Sequence, residues 1–294
     1  MYKGISKTDR IILILNNVLL VMLVICVLVP LIYVVAASFT KPNALLNSGL
    51  TINPADWTLE GYKKVFSDPE MLIGFRNSVF YAVAFSFISV ILTLFAAYPL
   101  SIENFVGRKT LMTIFVITMF FNGGLIPTYL VVKNLNMLDS VWAILLPGAI
   151  NVWNLILART YFQGIPKELR EASIVDGSSD TQYFFKILLP LCKPIIAVLV
   201  LYQFVAQWNS YFDAMIYLKN TNLEPLQIVL RSILVQNQTT LNIGSDAAST
   251  AQLQQIAQMI KYSSIVVSSL PLIIMYPFFQ KYFEEGILVG SIKG

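Results

Sequence analysis

The chain has 294 residues, of which 56% are hydrophobic and 12% are charged, and its mean hydropathy is +0.70. This composition excludes an ordinary soluble protein and predicts an all-α protein that crosses a bilayer. The chain contains no histidine, which excludes HExxH zinc proteases, Ser/His/Asp hydrolases and histidine proton relays. Its small net charge of +4 is scattered among apolar segments, so it indicates membrane topology rather than nucleic-acid binding.

Six apolar segments predict transmembrane helices, because a helix needs about 20 mostly apolar residues to cross a bilayer. The first is longer than the apolar region of a signal peptide, so we expect it to be an uncleaved span. Asp213 is the only charged residue in the six segments. They are residues 11–39, 78–102, 111–132, 141–158, 194–218 and 262–279.

Lysine and arginine are distributed unevenly between the two sets of loops. Twelve of them fall in 1–10, 103–110, 159–193 and 281–294, and eight fall in the longer set 41–77, 133–140 and 219–261. Cytoplasmic loops carry the excess of lysine and arginine. The sequence therefore predicts that both termini are cytoplasmic.

Two groups of residues indicate a path through the membrane. The third segment contains helix breakers at membrane depth, namely residues 122–124 and Pro127. They indicate either a path or a kink packed against another helix. Aromatic and amide residues, which suit sugars, occur in the fourth and fifth segments, although aromatic residues near span ends also form interfacial belts. The candidate path residues are Asn122, Trp153, Asn154, Gln207, Trp208, Asn209 and Tyr211.

The segment 159–193 carries the most specific pattern in the chain. Pro166 suits the first position of a helix, and Gly177 supplies a left-handed residue that ends it. Ser179 with Gln182 matches a capping box and predicts a second short helix. Ala172 and Ser173 offer a patch of small residues that another protein could approach closely.

This segment resembles the EAA loop of the permease subunits of bacterial ABC importers. The match consists of 171–173, then Gly177, then Ile187, Leu189 and Pro190, with Ser173 in place of the usual second alanine. The layout of spans and the C-terminal tail resemble the carbohydrate branch, in particular the G subunit of the maltose permease. Residues 121–129 resemble a subgroup that imports oligosaccharides released from polysaccharides.

The resemblance implies a type I ABC importer permease fold with six transmembrane helices. An N-terminal part, 1–77, would precede a permease core, 78–294, and the EAA helix would contact a cytoplasmic ATPase, with Glu171 as ion-pair partner and Gly177 as elbow. The implied coupling residues are Glu171, Ala172, Ser173, Asp176, Gly177, Ile187, Leu189 and Pro190. The implied tail contacts with the ATPase are Gly290, Lys293 and Gly294.

The resemblance also implies the partners of the chain. They are a second homologous permease, two ATPase subunits, an extracytoplasmic sugar-binding protein and membrane lipid, with no nucleic acid. The chain has no GxxxxGK[ST] loop, so we expect no catalytic residue, metal or cofactor in it, and ATP and Mg would bind the ATPase. The expected function is import of neutral or weakly acidic oligosaccharides across the bacterial cell membrane.

Two other classes of membrane protein fit the sequence less well. An ion-coupled secondary transporter would need ionisable groups near the bilayer centre or inverted repeats, and only Asp213, near an outer end, is available. An intramembrane protease would need a nucleophile motif of the GxSxG type, and the chain has none.

Overall fold

The fold is built from helices in every part of the chain that is described. The computed structural model describes residues 7–49, 53–239 and 247–291. Within those ranges, the single β-type pairing is an isolated bridge between Thr40 and Trp57. The predicted all-α class is therefore confirmed. The α-helices are α1 (Lys7–Phe39), α2 (Pro42–Ser48), α3 (Glu60–Ser67), α4 (Pro69–Ser101), α5 (Arg108–Phe120), α6 (Leu125–Asn134), α7 (Trp142–Leu145), α8 (Val152–Gln163), α9 (Lys167–Val175), α10 (Asp180–Tyr183), α11 (Leu189–Leu191), α12 (Lys193–Trp208), α13 (Phe212–Tyr217), α14 (Leu226–Thr239) and α15 (Ala247–Ser291).

The chain divides into two compact units. The first is drawn from Met1–Asp68 and Leu230–Ser269, and the second from Pro69–Val229 and Leu270–Gly294. The predicted separation of an N-terminal part at residue 77 from a permease core stays a prediction.

Among the described residues, three helices are long and apolar enough to cross a membrane without interruption. Two pairs of helices are bent at a short break, and the total is five if each pair forms one span. The uninterrupted helices are Thr8–Phe39, Pro69–Ser101 and Ala257–Tyr282, and the bent pairs are Arg108–Phe120 with Leu125–Asn134 and Asp180–Leu191 with Lys193–Trp208.

The break predicted in the third segment is present. The axes of α5 and α6 differ by 116° across it. Gly124 adopts a φ of +85°, which glycine accepts without a steric penalty. The side-chain oxygen of Asn122 accepts a hydrogen bond from the Gly124 N–H at 2.9 Å, so one backbone group freed by the break has a partner.

The fourth predicted segment, 141–158, is not one continuous helix. It consists of α7, which has 4 residues, and the first part of α8, which has 12. Pro147 cannot continue a helix, and Gly148 takes a φ of +72°. Asn151 then caps α8, because its side chain accepts the Asn154 N–H at 3.1 Å. Neither helix reaches the about 20 residues that a straight span requires.

The core of the second unit forms where α4 packs against α8 and α12. The buried side of α4 includes Ser86, Ser89 and Ala97, which are small enough to let helix backbones approach closely. Gln203 of α12 donates a hydrogen bond from Nε2 to Ser89 Oγ. Small residues and one polar pair therefore set the register between α4 and α12.

Polar side chains fasten the loop 219–225 in the same unit. Asn77 donates to the carbonyl oxygens of Asn222 and Glu224, at 2.7 and 3.0 Å. The carboxylate of Asp139 accepts the N–H groups of Asn220 and Lys219, at 2.8 and 2.9 Å. These two hydrogen bonds hold the pKa of Asp139 below its usual range. The loop is therefore a fixed element of the fold.

In the first unit, α3 packs against the end of α1 and against α15. The hydroxyl groups of Ser38 and Tyr62 lie 2.6 Å apart, and the rings of Tyr33 and Tyr262 meet edge to face at 6.2 Å. Gly61 lies so close to Ser263 that a Cβ at this position would collide with its hydroxyl oxygen. A glycine is therefore required there for close packing.

Candidate functional site: the helical loop 159–193

Helix α9 begins after Pro166 and ends at Val175. Pro166 is the N-cap residue and not the first residue of the helix, so α9 begins one residue later than the sequence predicted. Gly177 has a φ of +78°, and the Ser178 N–H bonds to the Ser173 carbonyl at 2.9 Å. This is the Schellman arrangement, which requires a left-handed residue after the helix. The predicted role of Gly177 as the helix stop is confirmed.

The second predicted helix, α10, starts with a complete capping box. The Gln182 N–H donates to Ser179 Oγ at 3.2 Å, and the Ser179 N–H donates to Gln182 Oε1 at 3.1 Å. The chain then continues through a π-helical segment, Phe184–Leu188, into α11 and α12. Ile187 and Leu189 pack against the core of the second unit, while Pro190 lies on the surface.

The outer surface of α9 differs in part from the predicted patch. Glu171 and Ala172 are exposed, whereas Ser173 is 4% exposed and its hydroxyl donates to the Arg170 carbonyl at 2.7 Å. Three apolar residues that the sequence did not single out, Leu169, Ile174 and Val175, are 41%, 53% and 87% exposed. The sequence signal that could have found these residues is the presence of apolar side chains within a short helix that is otherwise charged. The accessible surface of α9 therefore combines two carboxylates, Glu168 and Glu171, one small residue, Ala172, and three apolar side chains.

Two ion pairs hold α9 against the rest of the second unit. Arg170 Nη2 lies 2.9 Å from Asp180 Oδ1, and the Tyr98 hydroxyl donates to the same oxygen at 3.3 Å. On the other side, Lys167 Nζ lies 2.6 Å from Glu103 Oε1. The Arg170 pairing raises the pKa of its guanidinium, and Lys167 lowers the pKa of the Glu103 carboxyl. The helix is thereby joined to the end of α4 and to α10.

A cavity of about 440 Å³ lies between α9 and the end of α4. Tyr98, Glu103, Arg170, Glu171 and Tyr183 contribute to its walls. This space separates part of α9 from the core, so the two ion pairs hold the helix in place together with the buried side of α9 at Ser173.

Arg170→Ala should disturb function more than stability. An exposed ion pair contributes about 1 kcal/mol or less to the free energy of unfolding, so we expect nearly normal amounts of the folded chain. Helix α9 would lose one of its two ion pairs, and the coupling role that the resemblance to ABC importer permeases implies then predicts that less substrate crosses the membrane per ATP hydrolysed. Lys186→Ala is the matched control, because Lys186 is exposed and forms no ion pair within the described part of the chain. An unchanged ratio of uptake to ATP hydrolysis in Arg170→Ala would contradict the role of the Arg170–Asp180 ion pair in holding α9.

Trp208 does not present its ring to a ligand. It is 1% exposed, with the ring of Phe75 edge to face at 5.7 Å and the ring of Phe204 stacked at 6.1 Å. Both faces and edges that a sugar would contact are occupied by the protein. The structure therefore places Trp208 in the packing between α4 and α12, not on an open path.

The remaining path candidates are divided between the surface and the interior. Asn154 is buried and Gln207 is half-buried. Asn209 is exposed, and its side chain donates to the Val205 carbonyl at 2.9 Å. Asn122, Trp153 and Tyr211 are exposed. These residues come from the α5–α6 break, the start of α8 and the end of α12.

The predicted tail contacts lie at the limit of what is described. Gly290 belongs to the last turn of α15. Lys293 and Gly294 lie outside the described residues. Their role stays a prediction.

Comparison with known proteins identifies the family. The family model "binding-protein-dependent transport system inner membrane component" matches residues 71–289. The polygalacturonan/rhamnogalacturonan transport system permease protein YtcP of Bacillus subtilis is 41% identical over 276 residues, which cover 94% of this chain and 96% of that protein. Protein LplC of the same organism is 39% identical over 267 residues, covering 91% and 90%.

A solved structure is similar over almost the whole chain. It is the crystal structure of a bacterial ABC transporter involved in the import of the acidic polysaccharide alginate, with 34% identity and a TM-score of 0.86. The match covers 96% of this chain and 100% of that chain. The resemblance to ABC importer permeases seen at the EAA loop is confirmed. The chain therefore belongs to the inner membrane components of binding-protein-dependent transport systems, the non-catalytic permease subunits of ABC importers.

Proposed function

We propose that this chain is the membrane-spanning subunit of an ATP-driven importer that receives oligosaccharides from an extracytoplasmic binding protein. The observation that carries the proposal is the exposed helix α9, which ends in a Schellman stop at Gly177 and is fastened by ion pairs on two sides. A short rigid helix held in this way can transmit a displacement instead of absorbing it.

The displacement would travel along the chain from α9 to the core. Glu171 would pair with a cation of the ATPase, and Ala172 with Leu169 and Val175 would fill its cleft. Gly177 connects α9 to α10, and α10 continues through the π-helical segment into α12. Because α12 packs along α4, a movement of α9 would change the position of both helices.

The proposed assembly contains a second homologous permease and two cytoplasmic ATPase subunits, which bind ATP and Mg. Both termini lie in the cytoplasm of a bacterial cell, in agreement with the excess of lysine and arginine in 159–193 and the other segments on that side.

Three apolar side chains beside the break between α5 and α6 are strongly exposed. They are Phe120, Phe121 and Ile126, at 75%, 76% and 72%. Such apolar side chains suit contact with lipid or with the second permease.

The proposed cargo is a neutral or weakly acidic oligosaccharide. One similar protein is named as a permease of a polygalacturonan/rhamnogalacturonan transport system, and the similar solved structure is that of a transporter involved in the import of the acidic polysaccharide alginate. Asn122, Asn209 and Tyr211 are exposed near breaks in their helices, and amide and aromatic groups bind sugar hydroxyls and ring faces. No predicted span contains lysine or arginine that would fix a phosphate or sulfate.

Uptake into vesicles that contain the assembled transporter tests this function. We expect binding-protein-dependent uptake of labelled oligogalacturonides that requires ATP, stops with vanadate and continues with an uncoupler. Uptake that survives vanadate but stops with the uncoupler would instead establish an ion-coupled secondary transporter.

Deletion of 290–294 tests the proposed tail contact. Glycines and Lys293 suit a narrow, partly acidic crevice between the ATPase subunits, so the deletion should lower stimulation of ATP hydrolysis while the complex still assembles. A frayed terminus without contacts predicts an unchanged rate of hydrolysis. The measurement is ATP hydrolysis by the purified complex with and without loaded binding protein.

A further inference from the structure

A second cavity, of about 700 Å³, lies between the turn that follows α4, the start of α5 and the end of α8. Its walls combine three cationic side chains, one carboxylate and two apolar side chains. These residues are Arg108, Lys109, Arg159, Glu103, Phe105 and Met112.

The cavity has an excess of positive charge. Glu103, its carboxylate, is engaged by Lys167 at 2.6 Å. Across the described ranges of the chain, Arg108, Lys109 and Arg159 form no ion pair. Three cations therefore face one space whose single carboxylate, Glu103, is already paired with Lys167, so the net positive charge of this space attracts an anion.

Arg159 is oriented before any ligand binds. Its Nε donates to the Leu100 carbonyl at 2.9 Å, and the residue is half-buried, as is Arg108. The terminal N–H groups of a guanidinium anchored in this way remain available in a planar fork, which matches the oxygen atoms of a phosphate.

The position of the cavity indicates where the anion comes from. Helix α4, an uninterrupted span candidate, ends at Ser101, and the bent pair of α5 and α6 begins at Arg108. The cavity therefore lies where two span candidates end, at the level of lipid headgroups. Val106 is 91% exposed beside it, and Phe105 and Met112 belong to its walls, so apolar side chains adjoin the cations.

We propose that this cavity binds the phosphate of an anionic phospholipid, with Arg108 and Arg159 as the principal ligands and Lys109 as an additional cation. A phospholipid satisfies both features of the cavity, because its phosphate neutralises the cations while its acyl chains contact the apolar side chains. An acidic surface of the ATPase would satisfy the charge alone.

The test is lipid retention by the complete transporter complex, measured by native mass spectrometry during titration with phosphatidylglycerol or phosphatidylcholine. The wild-type complex should retain phosphatidylglycerol preferentially. The double variant Arg108→Gln/Lys109→Gln should bind it more weakly, by about five-fold for each cation removed. Lys133→Gln is the matched control, because it removes an exposed cation from the far end of the same bent pair and should leave retention unchanged.

Three results would overturn the proposal. Equal retention by the double variant and the wild type would show that the cations do not bind lipid. If millimolar inorganic phosphate instead displaces phosphatidylglycerol and stabilises the complex as much as the lipid does, that result would identify a site for free phosphate. Loss of the ATPase subunits from the double variant with lipid retention intact would assign the cations to the ATPase interface.

Discussion

Gly177→Val should leave the permease in the membrane with its ATPase while most ATP-driven uptake is lost. Gly177 has a φ of +78°, and a Cβ there would meet no atom within 4 Å, so the effect would come from the backbone and not from a collision. A left-handed conformation costs an L-residue about 1–2 kcal/mol, more when it is β-branched. This cost corresponds to a factor of about 5–30 in the population of the correct turn. The measurement is vesicle uptake relative to the amount of assembled complex.

Two variants separate the role of the turn from general strain. Gly177→Asn should retain most uptake, because asparagine tolerates the left-handed region. Gly148→Val imposes the same type of strain at a φ of +72° outside the loop 159–193, also with open space around the new side chain, and should affect uptake less. Normal uptake by Gly177→Val would contradict the assignment of Gly177 as the turn that couples α9 to α10.

The loop 159–193 was predictable from sequence because its determinants are local. The Schellman stop at Gly177 and the capping box of Ser179 with Gln182 each depend on residues within a few positions. The same reasoning should have found the break in the fourth segment, since Pro147 and Gly148 stand together there. The hydropathy of 141–158 concealed it.

Other features depend on contacts between distant segments, which one sequence does not reveal. Whether an aromatic residue on α12 faces a path or a neighbouring helix depends on how α4 packs, and Phe75 of α4 covers Trp208. Likewise, Ser173 is buried because α9 turns this side towards the core, while Leu169 remains exposed. Small size alone predicted a contact patch but not which of two adjacent residues would be accessible.

Trp208→Ala should greatly reduce the amount of folded permease. The side chain is 1% exposed between Phe75 and Phe204, and replacing a buried tryptophan by alanine costs about 3–5 kcal/mol through lost contacts and the cavity left behind. That loss is a large fraction of the stability of a typical domain. The measurement is thermal unfolding of the purified complex, together with its yield.

Asn209→Ala provides a neighbouring control with the opposite expectation. Asn209 is exposed and its side chain bonds only to the local Val205 carbonyl among the hydrogen bonds described, so the yield should stay normal. If its amide contacts the sugar, uptake should fall by about two- to ten-fold, the range for one hydrogen bond. If Trp208→Ala instead assembles normally and loses uptake, the Trp208 ring of the wild type must leave its packed position and reach the sugar in another state of the transport cycle. The contrast between these adjacent residues thus distinguishes a structural ring from an accessible amide.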